Sequence, residues 1–211
     1  MVMADLYDRQ KELELNIPEK VLIIGVGGIG SWVALNMALI GTKNLYLIDF
    51  DKIEQHNLNR TPFRTLDIDE DKTNAVMDLI MERRDETEIR LFNKRIEELT
   101  NVEMQELKDC LIIDCRDVLD ELPEALMNNK RVKLGYDGLS TTIMINPDFS
   151  SIWELEPEQR GYEIVPSFLA PCQYLASAIT TIVTSIDFNI ESINNKIITI
   201  DIKDHFLNII K

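Results

Sequence analysis

Three cysteines, two histidines and no long apolar run in 211 residues set the first limits on this sequence. Cys110, Cys115 and Cys172 are too few for a disulfide framework, and none stands in a C-x-x-C pair; neither a stapled secreted fold nor a zinc site is expected. No stretch approaches the roughly 20 apolar residues that span a bilayer. The opening MVMADLYDRQKELEL carries acids where a secretory signal carries a basic and then an apolar segment. A cytoplasmic chain with no membrane partner is expected. Positive charge is scarce, with 22 Lys and Arg against 37 Asp and Glu and a net charge of −15. That balance weighs against nucleic acid as a partner, because phosphate tracking needs clustered cations. The acid is partly local, as in LDIDEDK before Lys72, and reads as a solvated face. The length supports one core, hence a single domain over 1–211.

What the chain does have is an alternation of apolar runs and amphipathic stretches. VLIIG, ending at Gly25, suits a strand buried on both faces. GGIGSWVALNMALIG reads as a helix entered through glycines and stopped at Gly41, and NLYLIDFD as a second buried strand. EDKTNAVMDLIMERR, EIRLFNK, NVEMQELKD, CLIIDC and DVLDELPEALMNNK follow as helix, strand, helix, strand and helix. This alternation predicts a Rossmann-like, doubly wound α/β sheet, parallel in its N-terminal half. RVKLGYDG and STTIMIN, turning on Asp137 and Gly138, predict antiparallel strands in the C-terminal half. Residues 147–169 hold three prolines and little periodicity, the pattern of a long functional loop. A helix from about Ala170 to Asp187 and two strands, KIITIDI and HFLNIIK, close the chain.

The chemistry concentrates at the ends of the predicted parallel strands. Gly25, Gly27 and Gly30, with Gly28 between them, fit G-x-G-x-x-G between a strand and a helix. Glycine permits the tight turn and close backbone approach there, and the helix amides face an anion. Asp49 ends the second strand, where a carboxylate accepts from ribose hydroxyls. Taken alone, these residues bind an adenosine-type nucleotide and leave an NAD(P)-dependent oxidoreductase open. The segment continues, however, through Asp51 to Asn57, Asn59 and Arg60, with Arg64 and Lys72 beyond. Several cations beside the glycines suit a triphosphate better than a pyrophosphate. Asp114 stands at the carboxyl edge of the fourth strand, where a carboxylate opposite phosphates can hold Mg²⁺, and Asp117 reads as a helix cap or a second metal ligand.

In this order GVGGIGS, LIDFD, NLNR, Lys72 and IIDCRD resemble the adenylating enzymes that activate ubiquitin-like proteins. The pattern is similar above all to the ThiF, MoeB and HesA adenylyltransferases of bacteria. LYDRQ near the start fits the Tyr-x-Arg-Gln with which that family opens, and the similarity runs from Leu6 to about Asp117, continuing weakly through APCQYLASAITTIV. The resemblance implies ATP and Mg²⁺ as cofactors and an acyl adenylate and pyrophosphate as products. It implies Asp49 on the ribose, Asn57, Arg60 and Lys72 on the phosphates, and Asp114 on the metal. It further implies an N-terminal helical arm over 1–18 whose Arg9 reaches the nucleotide of the other subunit of a homodimer, and a crossover loop over 147–169. A ubiquitin-like or sulfur-carrier protein with a C-terminal glycine tail is the implied partner, its tail passing GYDGLSTTIMIN.

The chain departs from these relatives by lacking their paired C-x-x-C motifs and any cysteine within 147–169. Activation that stops at the adenylate is therefore expected. Cys172, after Pro171 at a helix start, is the one thiol placed for chemistry, although its apolar neighbours favour a buried, inert group. A non-catalytic scaffold subunit is the remaining alternative. His56 is expected to face solvent, and Trp32 to pack in the core or at an interface.

Overall fold

The computed structural model describes residues 6–118, 121–147, 166–185 and 195–205. The elements follow from the apolar pattern. Strand β1 (Lys20–Ile24) sends Val21 and Ile23 to one buried face and Leu22 and Ile24 to the other. Helix α1 (Gly28–Ile40) is apolar almost all round because it lies between the sheet and its neighbouring helices. Strand β2 (Asn44–Ile48), helix α2 (Lys72–Met81), strand β3 (Glu88–Phe92), helix α3 (Asn101–Glu106) and strand β4 (Leu111–Asp114) continue the alternation. Strand β5 (Arg131–Asp137), strand β6 (Ser140–Ile145), helix α4 (Leu169–Thr184) and strand β7 (Lys196–Asp201) complete it.

The strands form one sheet in the order β3-β2-β1-β4-β5-β6-β7. β1 to β5 pair in parallel, whereas β6 and β7 are antiparallel. The chain steps outward from β1 to β2 and β3, then returns to the other side of β1 with β4 and β5. This reversal opens a crevice outside the carboxyl ends of β1 and β4, the place where open α/β sheets bind ligands. The larger core packs α1, α2 and α4 on one face; the smaller joins Leu22, Ile24 and Ile112 to Leu99, Leu107 and Leu126 on the other. No helix among the described residues is long and apolar enough to cross a membrane.

Several local expectations change. Within DVLDELPEALMNNK, residues 121–130 hold only a 3₁₀ turn, Glu124–Leu126. Pro123 lacks the N–H a continuing helix needs, and Leu122 and Leu126 plug into the smaller core. The arm, from Leu6 onward, is a run of turns with one 3₁₀ turn, Lys11–Leu13, instead of a helix. The β5–β6 hairpin pairs Asp137 with Ser140, so its turn residues are Gly138 and Leu139. His205, expected to open the last strand, ends a helical turn over 202–205, and the remainder of HFLNIIK lies outside the described residues. So does most of the 147–169 loop, with 148–165 undescribed.

Candidate functional site

The site begins where β1 stops. Gly25 has φ +83°, and its N–H donates to the Ile48 carbonyl at 2.8 Å. A Cβ at Gly25 would lie 3.1 Å from the Arg116 nitrogen, so the turn sits directly on the loop leaving β4. At Gly30 a Cβ would run into the Gly25 carbonyl oxygen; the third glycine is what lets α1 start this close to β1. Gly27, by contrast, faces open space. It is also the N-cap of α1, with no side-chain cap, which leaves the first amides of a 13-residue helix directed at the crevice.

Asp49 ties this turn to the end of β2. One of its oxygens accepts from the Val26 N–H at 2.6 Å, the other from the Asp51 N–H at 2.8 Å. Burial pushes its carboxyl above the ordinary aspartate value, and the nearby Lys72 charge opposes the rise. A carboxylate has lone pairs beyond these two bonds, so Asp49 retains capacity for a ribose hydroxyl. Lys72 opens α2 almost fully buried, and its ammonium lies 2.7 Å from Asp51. The acidic run before it therefore delivers a cation to the site, rather than only a solvated face.

Arg60 leans over the glycine turn. Its Cδ stands 3.3 Å from where a Gly28 Cβ would be. Its Nη1 donates to the His56 carbonyl at 2.8 Å and to Asn59 at 3.0 Å. The Trp32 indole on α1 donates to the Arg60 carbonyl at 2.9 Å, which gives that tryptophan a positioning role that sequence did not reveal. Asn59 also donates to the Ser167 carbonyl at 3.1 Å, joining the segment to the approach of α4. Asn57 is buried, and its side-chain oxygen accepts from the Glu54 N–H at 3.0 Å, closing the 3₁₀ turn that aims Arg60. Arg64 is directed elsewhere, to Asp67 and Glu82. His56 is exposed beside Glu54.

Asp114 lies in a setting that sequence did not anticipate. It is fully buried, and three cations converge on it. Arg116 bonds it through Nε at 3.1 Å and Nη2 at 2.9 Å, Lys133 lies at 3.3 Å, and the Arg131 guanidinium closes on the second oxygen. Burial alone would raise its carboxyl, but the Arg116 bonds and the charges of Lys133, Arg116 and Arg131 outweigh it and hold the group below the ordinary range. A divalent cation here would have to displace at least one of these partners. Asp117, three residues on and exposed, does not face that obstacle. A signal existed in sequence: Arg131 and Lys133 alternate with Val132 and Leu134, which puts both cations on one face of β5.

The cysteines are buried or half-buried free thiols. Burial pushes Cys110 up to about 11 and Cys115 further. Cys172 is fully buried and also raised by burial, with a Tyr136 hydrogen bond pulling the other way. Its Sγ lies 2.9 Å from a Gly28 Cβ position, so it acts as packing beneath the glycine turn. Arg9 is exposed on the arm at the far end of α1: Gln10 donates to the Ile40 carbonyl at 2.8 Å, and Tyr7 packs against Gly41.

Fold and site together define a Rossmann-like α/β domain with Arg60 seated on its glycine turn and Lys72 held at Asp51. Residues 7–142 match the ThiF family, and the chain belongs to that family. It is 37% identical over 92 residues to the NEDD8-activating enzyme E1 catalytic subunit of Schizosaccharomyces pombe, covering 43% of this chain and 21% of that one. To the ubiquitin-like modifier-activating enzyme 5 of Caenorhabditis elegans it is 30% identical over 101 residues, covering 48% and 23%. The chain thus spans about a fifth of the length of these curated relatives. Among solved structures, E. coli MccB with ATP superposes with a TM-score of 0.63 at 19% identity, over 91% of this chain and 65% of that one. PaaA superposes with a TM-score of 0.65 at 23% identity, over 94% and 64%. These likenesses establish the fold.

Proposed function

We propose that this chain is an ATP-dependent adenylyltransferase that activates a carboxylate as its acyl adenylate and releases pyrophosphate. The observation that carries the reading is the seating of Arg60 on the Gly25–Gly30 turn, with Lys72 held at Asp51 beside the ribose carboxylate Asp49. An NAD-dependent enzyme needs no further phosphate ligands after its ribose carboxylate. The curated relatives are named as activating enzymes of ubiquitin-like modifiers, and the MccB structure was solved with ATP. The first favours a protein C-terminus as the substrate carboxylate, the second ATP as the nucleotide.

In this reading the open face at Gly27 and the uncapped amides of α1 take the phosphates, and Asp49 takes the ribose. Arg60 and Lys72 stabilise charge that develops as the substrate carboxylate attacks the α-phosphorus and the bond to pyrophosphate breaks. The attacking carboxylate is already ionised, so the chain needs no general base. Magnesium entering with ATP would neutralise phosphate charge, and Asp117, exposed three residues after Asp114, is the residue we assign to hold it, because the Asp114 oxygens are already engaged by Arg116, Arg131 and Lys133. The buried thiols favour a reaction that ends at the adenylate. Three free thiols suit a reducing, cytoplasmic compartment, and the whole of 1–211 is read as one adenylation domain.

Homodimerisation belongs to the same proposal. The arm carrying Arg9 lies by Ile40 and Gly41, whereas the glycine turn lies at the start of α1. Thirteen helical residues separate the two ends by about 20 Å. Arg9 at that position cannot reach its own nucleotide, so any contact with phosphate is made across a dimer.

ATP–pyrophosphate exchange, measured with ubiquitin-like proteins bearing free C-terminal glycines and with their C-terminal amides, tests the reaction. Exchange with the acids and none with the amides is expected. Tight NAD binding with no exchange from any carboxylate would replace this reading with the oxidoreductase.

A further inference from the structure

β4 ends at Asp114, and the loop that follows carries the chain past the glycine turn to Asp117. Main-chain bonds hold the beginning of this loop. The Cys115 N–H donates to the Ile24 carbonyl at 2.8 Å, and the Arg116 N–H donates to an Asp114 oxygen at 3.1 Å. The Cys115–Arg116 peptide therefore lies against Gly25, with its nitrogen 3.1 Å from a Cβ position there. The next peptide, which leads into Asp117, is held from outside the loop: the Lys133 ammonium donates to the Arg116 carbonyl.

Lys133 reaches that carbonyl through strand register. β5 runs parallel to β4 and pairs Lys133 with Asp114, and the alternation along Arg131, Val132, Lys133 and Leu134 turns both cations to the Asp114 face. Charge alone does not call for the lysine. Asp114 is already bonded by the guanidiniums of Arg116 and Arg131, and Glu97, a second acid on Arg116, is itself exposed. A third buried cation adds a desolvation cost, and Lys133 is 3% exposed. What its ammonium supplies, and an apolar side chain of similar length does not, is a donor to the main chain one residue before Asp117.

We propose that Lys133 is a positioning residue: by holding the Arg116 carbonyl it fixes the peptide leading into Asp117, and so sets how that carboxylate meets the metal of the bound nucleotide. This rests on the adenylyltransferase reading above and on its assignment of Asp117. Outer partners that orient a metal-holding group typically change metal affinity by about 10–100-fold when removed.

The test is a double-mutant cycle on the intact chain: wild type, Lys133→Met, Asp117→Asn and the double variant. ATP binding is titrated by calorimetry over a series of Mg²⁺ concentrations and without metal, at a temperature where melting curves show every variant folded. Lys133→Met is expected to raise the Mg²⁺ concentration for half-maximal ATP affinity about tenfold and to leave metal-free ATP binding unchanged. In the Asp117→Asn background the same substitution adds nothing further. Lys133→Gln, which shortens the side chain but keeps an N–H donor, is expected to give an intermediate value, and it alone decides if the methionine variant does not fold. An unchanged Mg²⁺ requirement, equal weakening with and without metal, or effects at 133 and 117 that multiply would make Lys133 a packing and charge residue only and overturn the proposal. An Asp117→Asn protein with the Mg²⁺ requirement of the wild type would overturn the assignment of Asp117 and the positioning with it. Failure of the wild type to bind ATP at all would instead overturn the adenylyltransferase reading.

Discussion

Asp114 shows how a side chain's neighbours decide its role. Its place at the end of a central strand is the place of a metal ligand, yet its surroundings make it the counter-ion of a buried cationic cluster. Replacing it with asparagine leaves Arg116, Arg131 and Lys133 facing one another around a neutral group. Removal of one partner from a buried charge set costs about 3–5 kcal/mol, so Asp114→Asn is expected to lose that much in urea denaturation without nucleotide. Asp117→Asn, on an exposed carboxylate, is expected to stay within about 0.5 kcal/mol of wild type while raising the Mg²⁺ concentration needed for ATP binding. If the two variants exchanged these behaviours, the metal would belong to Asp114 after all.

The acid limb of stability carries the same information. A carboxyl held below its unfolded value contributes stability that is fully present above the ordinary aspartate value of 3.8 and is lost as pH falls through the lowered one. Asp67 and Glu103 are lowered too, so the wild type has more than one source of acid sensitivity. Comparison isolates Asp114. Between neutral pH and pH 3 its asparagine variant is expected to show the shallower fall in denaturation free energy, and an identical slope would mean that the cluster does not ionise as its geometry implies.

At the scale of elements, the glycine turn separates folding from binding within a few residues. A methyl group at Gly30 meets the Gly25 carbonyl, whereas one at Gly27 meets no protein atom. Gly30→Ala is therefore expected to destabilise the fold by more than about 2 kcal/mol. Gly27→Ala is expected to melt like the wild type and to lose ATP, because the methyl occupies the space a phosphate needs. Thermal melts with and without ATP read both effects. A Gly27→Ala protein that still binds ATP would move the phosphates away from this turn.

The same scale shows what could be read from sequence. β1, β2 and β4 were legible because each is a short apolar run ended by a polar or glycine residue, and the glycine spacing marked the β1–α1 turn. DVLDELPEALMNNK misled because its acids and leucines have helical spacing while Pro123 breaks the hydrogen-bonding that spacing requires. The cationic cluster was hidden for a different reason. Arg131 and Lys133 are only two alternating charges in a strand until register places Lys133 beside Asp114. Trp32 was likewise visible as a residue, but its partner, Arg60, comes from elsewhere in the chain.

For the whole molecule, the position of the arm makes dimerisation a testable requirement. Arg9→Ala and Arg60→Ala proteins are each expected to lose adenylate formation and to keep their melting temperatures. Mixed under conditions of subunit exchange, they regain part of the activity, since a hybrid dimer contains one site with both arginines. Lack of rescue despite demonstrated exchange would remove Arg9 from the site.

The proposed activity depends on one feature, a nucleotide site equipped for a triphosphate. The most direct measurement is calorimetric titration of the intact chain with ATP and with NAD, repeated on Arg60→Ala. ATP binding that NAD does not match, and that weakens by about tenfold or more when Arg60 is removed, is the predicted result. Binding of NAD in preference to ATP, or an ATP affinity indifferent to Arg60, would contradict it.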